Sequence, residues 1–369
     1  MKILWMSWKD SHHPQAGGAE VVKSELCKRL ILDGHQVIQL VSGFPNSEPL
    51  LNTDGGQIIR VGGRFTVYWE AYRHYKKHLK TWPDIIIDEC NTVPFFSSFY
   101  VKSPSIMMVH QLAREIWFYQ MPKPIGLIGF LIEPLYLWLL RKNKVITVSS
   151  SSKRDLVRHG FKADQINIIS EGIAITPTTA PHELNKFSDP TILYLGSIRE
   201  MKRPIDVILA FHLAKEKIKN LKLIIAGGGS GPYFKKFISL INKYPRDIQY
   251  LGRVNEKQKL DLLQKSSLIV ATSVKEGWGL IITEAASQGT PAVAYNVDGL
   301  RDSIRDQMTG LLTSPKIEAL ASGIEKLLSN HELYNKCRTQ GWVWSKEINF
   351  DNSYHQFIEI LKNLIYKNL

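Results

Sequence analysis

Apolar residues occur in short runs bounded by turn residues along the first half of the chain, and helix-like patterns separate most of these runs. The runs are Ile3–Met6, Val37–Val41, Ile85–Ile87, Ile106–Val109, Val145–Val148 and Ile166–Ile169. Buried strands that alternate with helices are typical of a parallel sheet built from strand–helix–strand units. The first half of the chain is therefore predicted to form a doubly wound α/β domain.

The same alternation starts again after a segment rich in proline and threonine, and Pro177 and Pro181 in this segment are typical of a linker. We therefore place the domain boundary near residues 173–188. Beyond it, the predicted strands are Thr191–Leu195, Leu223–Ala226, Ile248–Leu251, Leu268–Ala271 and Ala292–Ala294, and the predicted helices include Asp206–Lys217 and Glu256–Gln264. The predicted architecture is two doubly wound, Rossmann-like halves that face each other across a cleft.

The last part of the chain predicts one amphipathic helix over Phe350–Lys367, with apolar residues at helical spacing. We expect this helix to pack across the domains. The predicted first domain is thus residues 1–172 plus 350–369, and the predicted second domain is residues 173–349. A chain of 369 residues also exceeds the size at which one hydrophobic core usually keeps growing, which agrees with two domains.

The net charge of +13 favours anionic partners, such as a nucleotide diphosphate or an anionic phospholipid surface. The basic residues are scattered and no zinc-finger or RNA-binding signature is present, so we predict no nucleic-acid partner. The three cysteines are far apart and odd in number, which is typical of a reducing compartment. The amino terminus enters a strand directly instead of a signal peptide. Together these features predict a cytoplasmic protein.

The segment 116–140 is unusually apolar, and its nature stays open at the level of sequence. Proline and charged residues at positions 122–124, 133 and 134 interrupt it, and a membrane-spanning helix requires roughly 20 uninterrupted apolar residues. One interpretation is a buried helix of the first domain. The other is an interfacial patch with aromatic anchors and flanking basic residues, which predicts a peripheral position on the cytoplasmic membrane face.

Residues 273–289 are predicted to form a glycine loop followed by a helix start, directly after the strand Leu268–Ala271. The free N–H groups at a helix start bind anions, and Gly277 and Gly279 let a ligand approach the backbone closely. Glu276 lies in the loop and Glu284 in the helix, so their carboxylates are separated by roughly 10–12 Å. This exceeds the separation in a catalytic glycosidase pair and suits two ends of one extended ligand.

The segment Glu276-Gly-Trp-Gly-Leu-Ile-Ile-Thr-Glu284 resembles the motif of retaining glycosyltransferases of family 4, which have the GT-B fold. The resemblance continues through residues 289–294, 298–300 and 309–312. It implies that Glu276 contacts the donor sugar and Glu284 the nucleotide ribose. It also implies that Gly277, Trp278, Gly279 and Leu280 line the donor site, with Glu276 in the catalytic centre.

A diphosphate leaving group requires positive charge, which Gly196-Ser-Ile-Arg199-Glu-Met-Lys202-Arg203 provides after the strand Thr191–Leu195. Family members commonly have Gly-Arg here, with a Lys six positions after the Gly. Lys202 matches that Lys, whereas Ser197 stands where the Arg is expected. We therefore predict that Lys202, together with Arg199 or Arg203, clasps the diphosphate. No Asp-x-Asp motif is present, so we predict a metal-independent enzyme without a cofactor.

Two further glycine-rich helix starts are candidate donor contacts. Gly227 and Gly228 follow the strand Leu223–Ala226, where a nucleotide lies in doubly wound sheets. Gly18, in a Gly-Gly-x-Glu segment, resembles the family's first loop, which faces the donor phosphate. Its neighbour Glu20 also suits the first turn of a helix on electrostatic grounds alone.

His110 ends the strand Ile106–Val109, a place where ligand-binding residues collect in open α/β sheets. The family often has a His at this strand end near the reacting sugar. We therefore include His110 with Glu276 and Lys202 as predicted catalytic residues. We do not assign it as the base, because in retaining enzymes the leaving phosphate itself can accept the acceptor proton.

The predicted function is transfer of a mannose- or glucose-type hexose from a nucleotide-diphosphate sugar to a glycan or lipid-linked acceptor, with retention, in cell-envelope polysaccharide synthesis. One alternative is a nucleotide-sugar epimerase or sugar phosphorylase on the same fold. Another is a non-catalytic nucleotide-sugar-binding protein. A nicotinamide-dependent oxidoreductase is disfavoured because Gly17 and Gly18 lack the G-x-G-x-x-G spacing.

Overall fold

In the computed structural model, which describes residues 1–243 and 246–366, each predicted apolar run forms a strand, and most of these strands are buried. The chain divides into two compact units. The first unit comprises Met1–Gly172 and the terminal helix that begins at Phe350, and the second comprises Ile173–Asn349.

Parallel strands form most of the sheet of the first unit, whose strand order is β3-β4-β2-β1-β5-β6-β7-β8, with only the β3–β4 pair antiparallel. The strands are β1 (Lys2–Met6), β2 (Gln36–Val41), β3 (Leu50–Thr53), β4 (Gly56–Arg60), β5 (Ile85–Cys90), β6 (Ser105–Val109), β7 (Val145–Thr147) and β8 (Ile166–Ile168). The helices are α1 (Gly18–Leu32), α2 (Val67–His74) with a π-helical turn (Tyr75–Leu79), α3 (Trp117–Gln120), α4 (Lys123–Leu140) and α5 (Ser150–Arg158). Because β1, β5 and β6 are parallel neighbours, their carboxyl ends lie at one edge and bring the residues that follow them together.

The second unit contains a parallel sheet with strand order β11-β10-β9-β12-β13-β14. Its strands are β9 (Thr191–Leu195), β10 (Lys222–Ala226), β11 (Ile248–Tyr250), β12 (Leu268–Ala271), β13 (Ala292–Tyr295) and β14 (Gly310–Thr313). Its helices are α6 (Pro204–Lys217), α7 (Gly231–Ile241), α8 (Glu256–Lys265), α9 (Leu280–Ser287), α10 (Leu300–Ser303), α11 (Ile317–Ser329) and α12 (His331–Ser345). Buried aliphatic side chains of β9, β10 and β12 form the centre of the core.

The hairpin β3–β4 and the edge strand β14 are absent from the sequence-based prediction. The hairpin carried a recognisable signal, because Asp54-Gly55 is a favoured turn pair between short strands. The strand β14 is only four residues long and half-buried at its end, which gives a weak periodic pattern.

The proline-rich segment after Gly172 is not a free linker, which corrects the prediction for residues 173–188. Thr178 donates its N–H to Ser287 O at 3.0 Å and accepts a bond from Trp342 Nε1 at 2.7 Å. Pro181 is buried, and its carbonyl accepts a hydrogen bond from Arg338. The segment is therefore packed against α9 and α12 of the second unit.

The terminal helix α13 (Phe350–Tyr366) packs within the first unit. Phe357 stacks on Trp5 of β1 at 5.6 Å between ring centroids, and Tyr354 donates its hydroxyl to Asp33 at 2.6 Å. The predicted helix end at Lys367 lies outside the described residues.

The apolar segment 116–140 forms the short helix α3 and the continuous helix α4, and the predicted interruption at Glu133 and Pro134 does not break α4. The interpretation as a buried helix is wrong for most of its surface, because only 28% of the helix is buried. By length and composition alone, α4 is apolar enough to cross a membrane. It connects β6 to its parallel neighbour β7, so both of its ends are attached to the same sheet.

Candidate active site

The loop between β12 and α9 brings two predicted site residues together. The ammonium of Lys202 is ion-paired with the carboxylate of Glu276, and the hydroxyl of Ser273 donates to the same Glu276 oxygen. Both side chains are about one fifth exposed, so a ligand can reach the pair. Ser273 was not predicted, although it stands three positions before Glu276 in the same motif.

Backbone contacts fix the loop that carries Glu276. Its N–H donates to Asp298 O at 3.0 Å, and Val274 N donates to Met201 O at 2.8 Å. The hydroxyl of Thr272 lies 2.9 Å from the carbonyl oxygen of Lys202. The Glu276 loop and the turn that carries Lys202 are therefore held as one structure, which places the cation beside the carboxylate.

The glycines of the motif permit the turn into α9. Gly279 caps this helix with φ of +97°, in the left-handed region that favours glycine. Gly277 and Leu280 are half-buried beside it, whereas Trp278 is buried and packs 6.2 Å from the ring of Trp344. The predicted sequence of strand, glycine loop and helix start is thus present, with an accessible helix start next to Glu276 and Lys202.

Glu284 lies on α9 and is almost fully buried, with the ammonium of Lys259 at 2.8 Å from its Oε1 atom. Burial raises the pKa of this carboxyl, and the positive charge of Lys259 opposes the shift. A buried carboxylate with one cation as its partner retains further lone pairs for ligand hydroxyl groups. Lys259 was missed in the sequence, because its partner is 25 positions away on a different helix.

A groove of about 280 Å³ lies at the carboxyl ends of β9 and β10, lined in part by Gly196, Gly227, Arg253 and Lys259. A Cβ atom at Gly227 would lie 1.8 Å from Gly196 O. The two glycine loops therefore approach so closely that a side chain at position 227 would clash with the backbone of Gly196. Arg253, which follows β11, was not predicted. The groove combines exposed backbone with two cationic side chains, which suits an anionic ligand.

The side chain of Arg199 contacts Ser197, the serine that stands where the family's arginine is expected. Arg199 Nε donates to Ser197 Oγ at 2.8 Å, and the guanidinium remains exposed. Arg203 caps α6 in a left-handed backbone conformation, with φ of +48°. Arg199 is thus hydrogen-bonded to Ser197, the residue at the position where the family's arginine is expected.

His110 lies in the first unit, buried at the carboxyl end of β6. Its Nδ1 is 2.9 Å from Glu171 Oε1, and its Nε2 is 3.7 Å from Glu89 Oε1. Burial disfavours the imidazolium, but the hydrogen bond to Glu171 and the negative charges of Glu171 and Glu89 outweigh burial and raise the pKa of His110 to about 10. An imidazolium at neutral pH cannot accept a proton, so the geometry favours a hydrogen-bond donor and disfavours a base.

The His110 site extends into a buried charged network that was not predicted from the sequence. Glu89 accepts a hydrogen bond from Trp5 Nε1 at 2.7 Å, and Lys23 Nζ lies 3.9 Å from the same carboxylate oxygen. Burial would raise the pKa of Glu89, but Lys23 and His110 lower it. Strands β1, β5 and β6 thus each contribute one member, because their ends meet at one edge of the sheet.

Gly18 begins α1 and is exposed, and Gly17 caps the helix. Glu20 is buried and accepts the N–H of Gly17 at 2.6 Å, with Lys9 at 3.4 Å. Glu20 therefore acts as a capping residue, as its position in the first helical turn suggested. Among the described residues, no three His, Cys, Asp or Glu side chains form a group that could hold a metal ion.

Two family models account for nearly all of the chain. The model for glycosyl transferases group 1 matches residues 178–343, and the model for glycosyltransferase family 4 matches residues 16–176. The chain belongs to glycosyltransferase family 4. The resemblance to family 4 that was inferred from the Glu276–Glu284 motif is thereby confirmed.

One relative aligns with almost the whole chain. The O-antigen chain mannosyltransferase B of Escherichia coli is 22% identical over 363 residues, which cover 93% of this chain and 92% of that protein. Other curated relatives match over shorter stretches, and the chain spans about half of their length.

Solved structures establish the fold of the chain as GT-B, as predicted. The sucrose-phosphate synthase of Thermosynechococcus elongatus superposes with a TM-score of 0.82 at 18% identity, covering 99% of each chain. HepE of Anabaena, solved in complex with UDP and glucose, superposes with a TM-score of 0.74 at 16% identity, covering 98% of this chain and 100% of HepE.

Proposed function

We propose that this glycosyltransferase moves a mannose- or glucose-type hexose from a nucleotide-diphosphate sugar to a glycan or lipid-linked acceptor, with retention at the anomeric carbon. The observation that carries the proposal is the Lys202–Glu276 ion pair beside the start of α9. It combines a cation for a leaving phosphate with a carboxylate for sugar hydroxyl groups, next to a helix start that favours anions.

The donor is proposed to lie along the second unit from the groove to Glu276. The nucleotide occupies the groove beside Gly227 and Gly228, with Arg253 at its wall. Glu284 accepts hydrogen bonds from the ribose, and the ammonium of Lys259 favours its charged form against the effect of burial. This arrangement assigns the base and ribose to one end of the site and the sugar to the other.

The diphosphate is proposed to sit between these ends, over the start of α9. Lys202 and Arg199 stabilise the negative charge that develops as the bond between the anomeric carbon and the phosphate oxygen breaks. Glu276 holds sugar hydroxyl groups, and Gly277, Gly279 and Leu280 form the wall around them. Since protein cations supply the required charge, we propose that transfer needs no divalent metal and no cofactor.

Retention requires the acceptor oxygen to form its bond on the face from which the diphosphate departs. In the proposed reaction, the acceptor hydroxyl passes its proton to the leaving phosphate oxygen, so no separate protein base is needed. Protonated His110 then serves as a hydrogen-bond donor. Its Nε2 is buried and has no hydrogen-bond partner among the described residues.

The acceptor assignment draws on one similar protein, because the E. coli relative is a mannosyltransferase of an O-antigen chain. We propose the same general class of acceptor here, a growing glycan or its lipid-linked precursor in the cell envelope. The corresponding location is the cytoplasm, with peripheral attachment to the membrane face.

A donor panel tests the proposal. GDP-mannose, UDP-glucose, UDP-N-acetylglucosamine, UDP-galactose and ADP-glucose are compared by thermal shift and by slow donor hydrolysis, with and without a chelator. One donor should stabilise the protein and be hydrolysed equally well in both conditions. The anomeric configuration of the sugar product, read by NMR before mutarotation, should match the donor.

Other outcomes of the donor panel would support one of the alternative functions. Conversion of the donor to an epimeric nucleotide sugar without any acceptor indicates an epimerase, and formation of a sugar phosphate that requires inorganic phosphate indicates a phosphorylase. Tight donor binding without hydrolysis or transfer indicates a non-catalytic protein. A strict requirement for manganese would contradict the proposed role of Lys202 and Arg199.

A further inference from the structure

Helix α4 presents an apolar face that no part of the described chain covers. We define this outward face by Ile128, Leu131, Ile132, Leu135, Trp138 and Leu139, which recur at helical spacing and share one side of the helix. All six are exposed, with Leu131 at 64% and Trp138 at 53%. A water-soluble surface seldom exposes so many large apolar side chains together, so a partner is expected there.

The opposite face of α4 fixes the helix to the first unit. Buried Glu133 accepts the N–H groups of Ala113 and Arg114 at 2.8 and 2.6 Å, and Trp117 Nε1 donates to it at 3.0 Å. Tyr136, whose ring is buried, donates its hydroxyl to Thr92 O at 2.6 Å. The outward face is therefore held in place by specific polar contacts and is not an unfolded or frayed segment.

This attachment argues against a membrane-spanning role for α4. A spanning helix would have to release Glu133 from three donors and place its ends on opposite sides of a bilayer. Both ends of α4 lead into β6 and β7, which are hydrogen-bonded neighbours in one sheet. The helix can lie along a bilayer surface without disturbing either contact.

The charges around the outward face select an anionic surface. Between residues 117 and 144 the only acidic residue is the buried Glu133, whereas Lys123, Arg141, Lys142 and Lys144 flank the two ends of the helix. The Arg141 guanidinium lies 3.9 Å from the centroid of the Trp138 ring, which joins the basic rim to the apolar face. Apolar insertion with basic side chains at headgroup depth is the physical pattern of an interfacial helix.

Exposed aromatic and basic side chains also occur next to α4, on α3 and in the segment around Arg64. On α3, Phe118 is exposed and its ring packs 5.2 Å from that of Phe130. Arg64 Nη2 lies 3.8 Å from Met121 Sδ, and this contact connects the helix start to a segment with exposed Phe65. Aromatic and basic side chains thus border the outward face on this side as well.

We propose that the outward face of α4 docks on an anionic phospholipid bilayer, with its apolar side chains inserted among the acyl chains and Arg141, Lys142 and Lys144 at the phosphate headgroups. Docking would place the first unit at the surface where a lipid-linked acceptor resides. This last step rests on the proposed function, whereas docking itself rests on the surface of α4 alone.

The test is vesicle flotation of the full chain, using phosphatidylcholine vesicles with and without phosphatidylglycerol. The wild type should float with the anionic vesicles and much less with the neutral ones. The double variant Leu131→Glu/Leu135→Glu should lower the bound fraction by at least about tenfold, since two inserted side chains become charged. Leu32→Glu is the matched control, because Leu32 is 84% exposed on α1, far from α4 in the sequence, and should float normally.

A labelled variant tests insertion independently of the charge substitutions. The native cysteines are buried, so Leu135→Cys can carry an environment-sensitive dye. Its emission should shift to the blue with anionic vesicles, whereas a dye at Leu32→Cys should not change. Both variants should retain the wild-type thermal midpoint, because both side chains point to solvent.

Three outcomes would overturn the docking proposal. The first is flotation of Leu131→Glu/Leu135→Glu at the wild-type level, and the second is an unchanged dye at position 135. The third is a wild-type dimer that does not float and becomes monomeric in the double variant, which would assign the face to a second copy of the chain. Flotation without sugar transfer would contradict the proposed function and leave docking supported. Sugar transfer by a protein that does not float would support the proposed function and would be a fourth outcome that contradicts docking.

Discussion

Lys202 and Glu276, 74 positions apart in the chain, form an ion pair at the start of α9. The pair connects the turn after β9 to the loop after β12, and it joins the two residues for which the strongest roles are proposed. In the absence of donor, each charge partly neutralises the other. In the proposed complex, the diphosphate would be a more negative partner for Lys202 and would leave Glu276 to the sugar hydroxyl groups, which would couple donor binding to the arrangement of the carboxylate.

The first prediction concerns this ion pair. Lys202→Met and Glu276→Gln should each lower sugar transfer by roughly 10²–10³-fold, the usual effect of removing one charge-stabilising group. Because the two side chains interact directly, the double variant should lose less than the product of the two single effects. Initial rates of transfer or donor hydrolysis measure all three.

The matched control for the pair is Lys236→Met, which removes an exposed cation from α7 in the same unit. It should retain wild-type turnover. Near-normal rates in Lys202→Met or Glu276→Gln, with an unchanged thermal midpoint, would remove these residues from the proposed centre.

The second prediction uses the buried carboxyl of Glu284. Burial raises its pKa and Lys259 opposes this, so Lys259→Met should raise the pKa further. Donor affinity of Lys259→Met should then fall by about tenfold as the pH is lowered from about 8 to about 6, since a charged hydrogen-bond acceptor is lost. Wild-type affinity should change less over this interval, as measured by calorimetric titration with the preferred donor.

The control for this pH effect is Glu284→Gln, which has no carboxyl to titrate. Its affinity should be low at both pH values and should not depend on pH in this interval. If the donor affinity of Lys259→Met instead equals that of the wild type at every pH, the ion pair between Lys259 and Glu284 has no part in donor binding.

The third prediction concerns His110 and Glu171. The pKa of His110 is raised from 6.5 to about 10, so the folded state binds the proton more tightly than the unfolded state. The resulting stabilisation is fully present below about pH 6.5 and is lost as the pH rises toward 10. Glu171→Gln should lower the His110 pKa, and its free energy of unfolding should therefore fall less between pH 6 and pH 9.

Denaturant unfolding at several pH values tests this prediction, and NMR titration of the imidazole reports the pKa of His110 directly. Between pH 6 and pH 9, the free energy of unfolding of the wild type should fall by at least about 1 kcal/mol more than that of Glu171→Gln, since each pKa unit corresponds to about 1.36 kcal/mol. His110→Gln should likewise reduce the pH dependence of the free energy of unfolding between pH 6 and pH 9. Identical pH dependence in wild type and Glu171→Gln would show that the ion pair does not hold the proton.

The strands, the glycine loop and the helix of the Glu276–Glu284 motif could be predicted because each depends on residues close together in sequence. Glycines at 277 and 279 precede a helical pattern, and the structure has a left-handed cap at Gly279 followed by α9. Alternating apolar runs likewise predicted the two parallel sheets. Local patterning therefore sufficed for the fold class and for the elements that carry the proposed donor residues.

Partners across long separations were not predictable in the same way. Lys259 meets Glu284, and Glu171 meets His110 across 61 positions, only because helices and strand ends converge in three dimensions. No periodic pattern marks such pairs. Similarly, the composition of α4 indicates an apolar helix, but which of its faces is covered depends on Glu133 and Tyr136 docking on the first unit.

The last prediction concerns Gly299, which lies directly against the Glu276 loop. Gly299 has φ of +83°, and a Cβ atom there would lie 2.2 Å from Glu276 O. Gly299→Ala should displace Glu276 and lower kcat/KM at least about tenfold, with a stability loss of about 1–3 kcal/mol from the strained backbone. Gly34→Ala is the matched control, since Gly34 also has positive φ but no atom within 4 Å of the added methyl. It should lose stability without losing activity, and full activity in Gly299→Ala would show that the position of Glu276 tolerates a shift and is not critical for transfer.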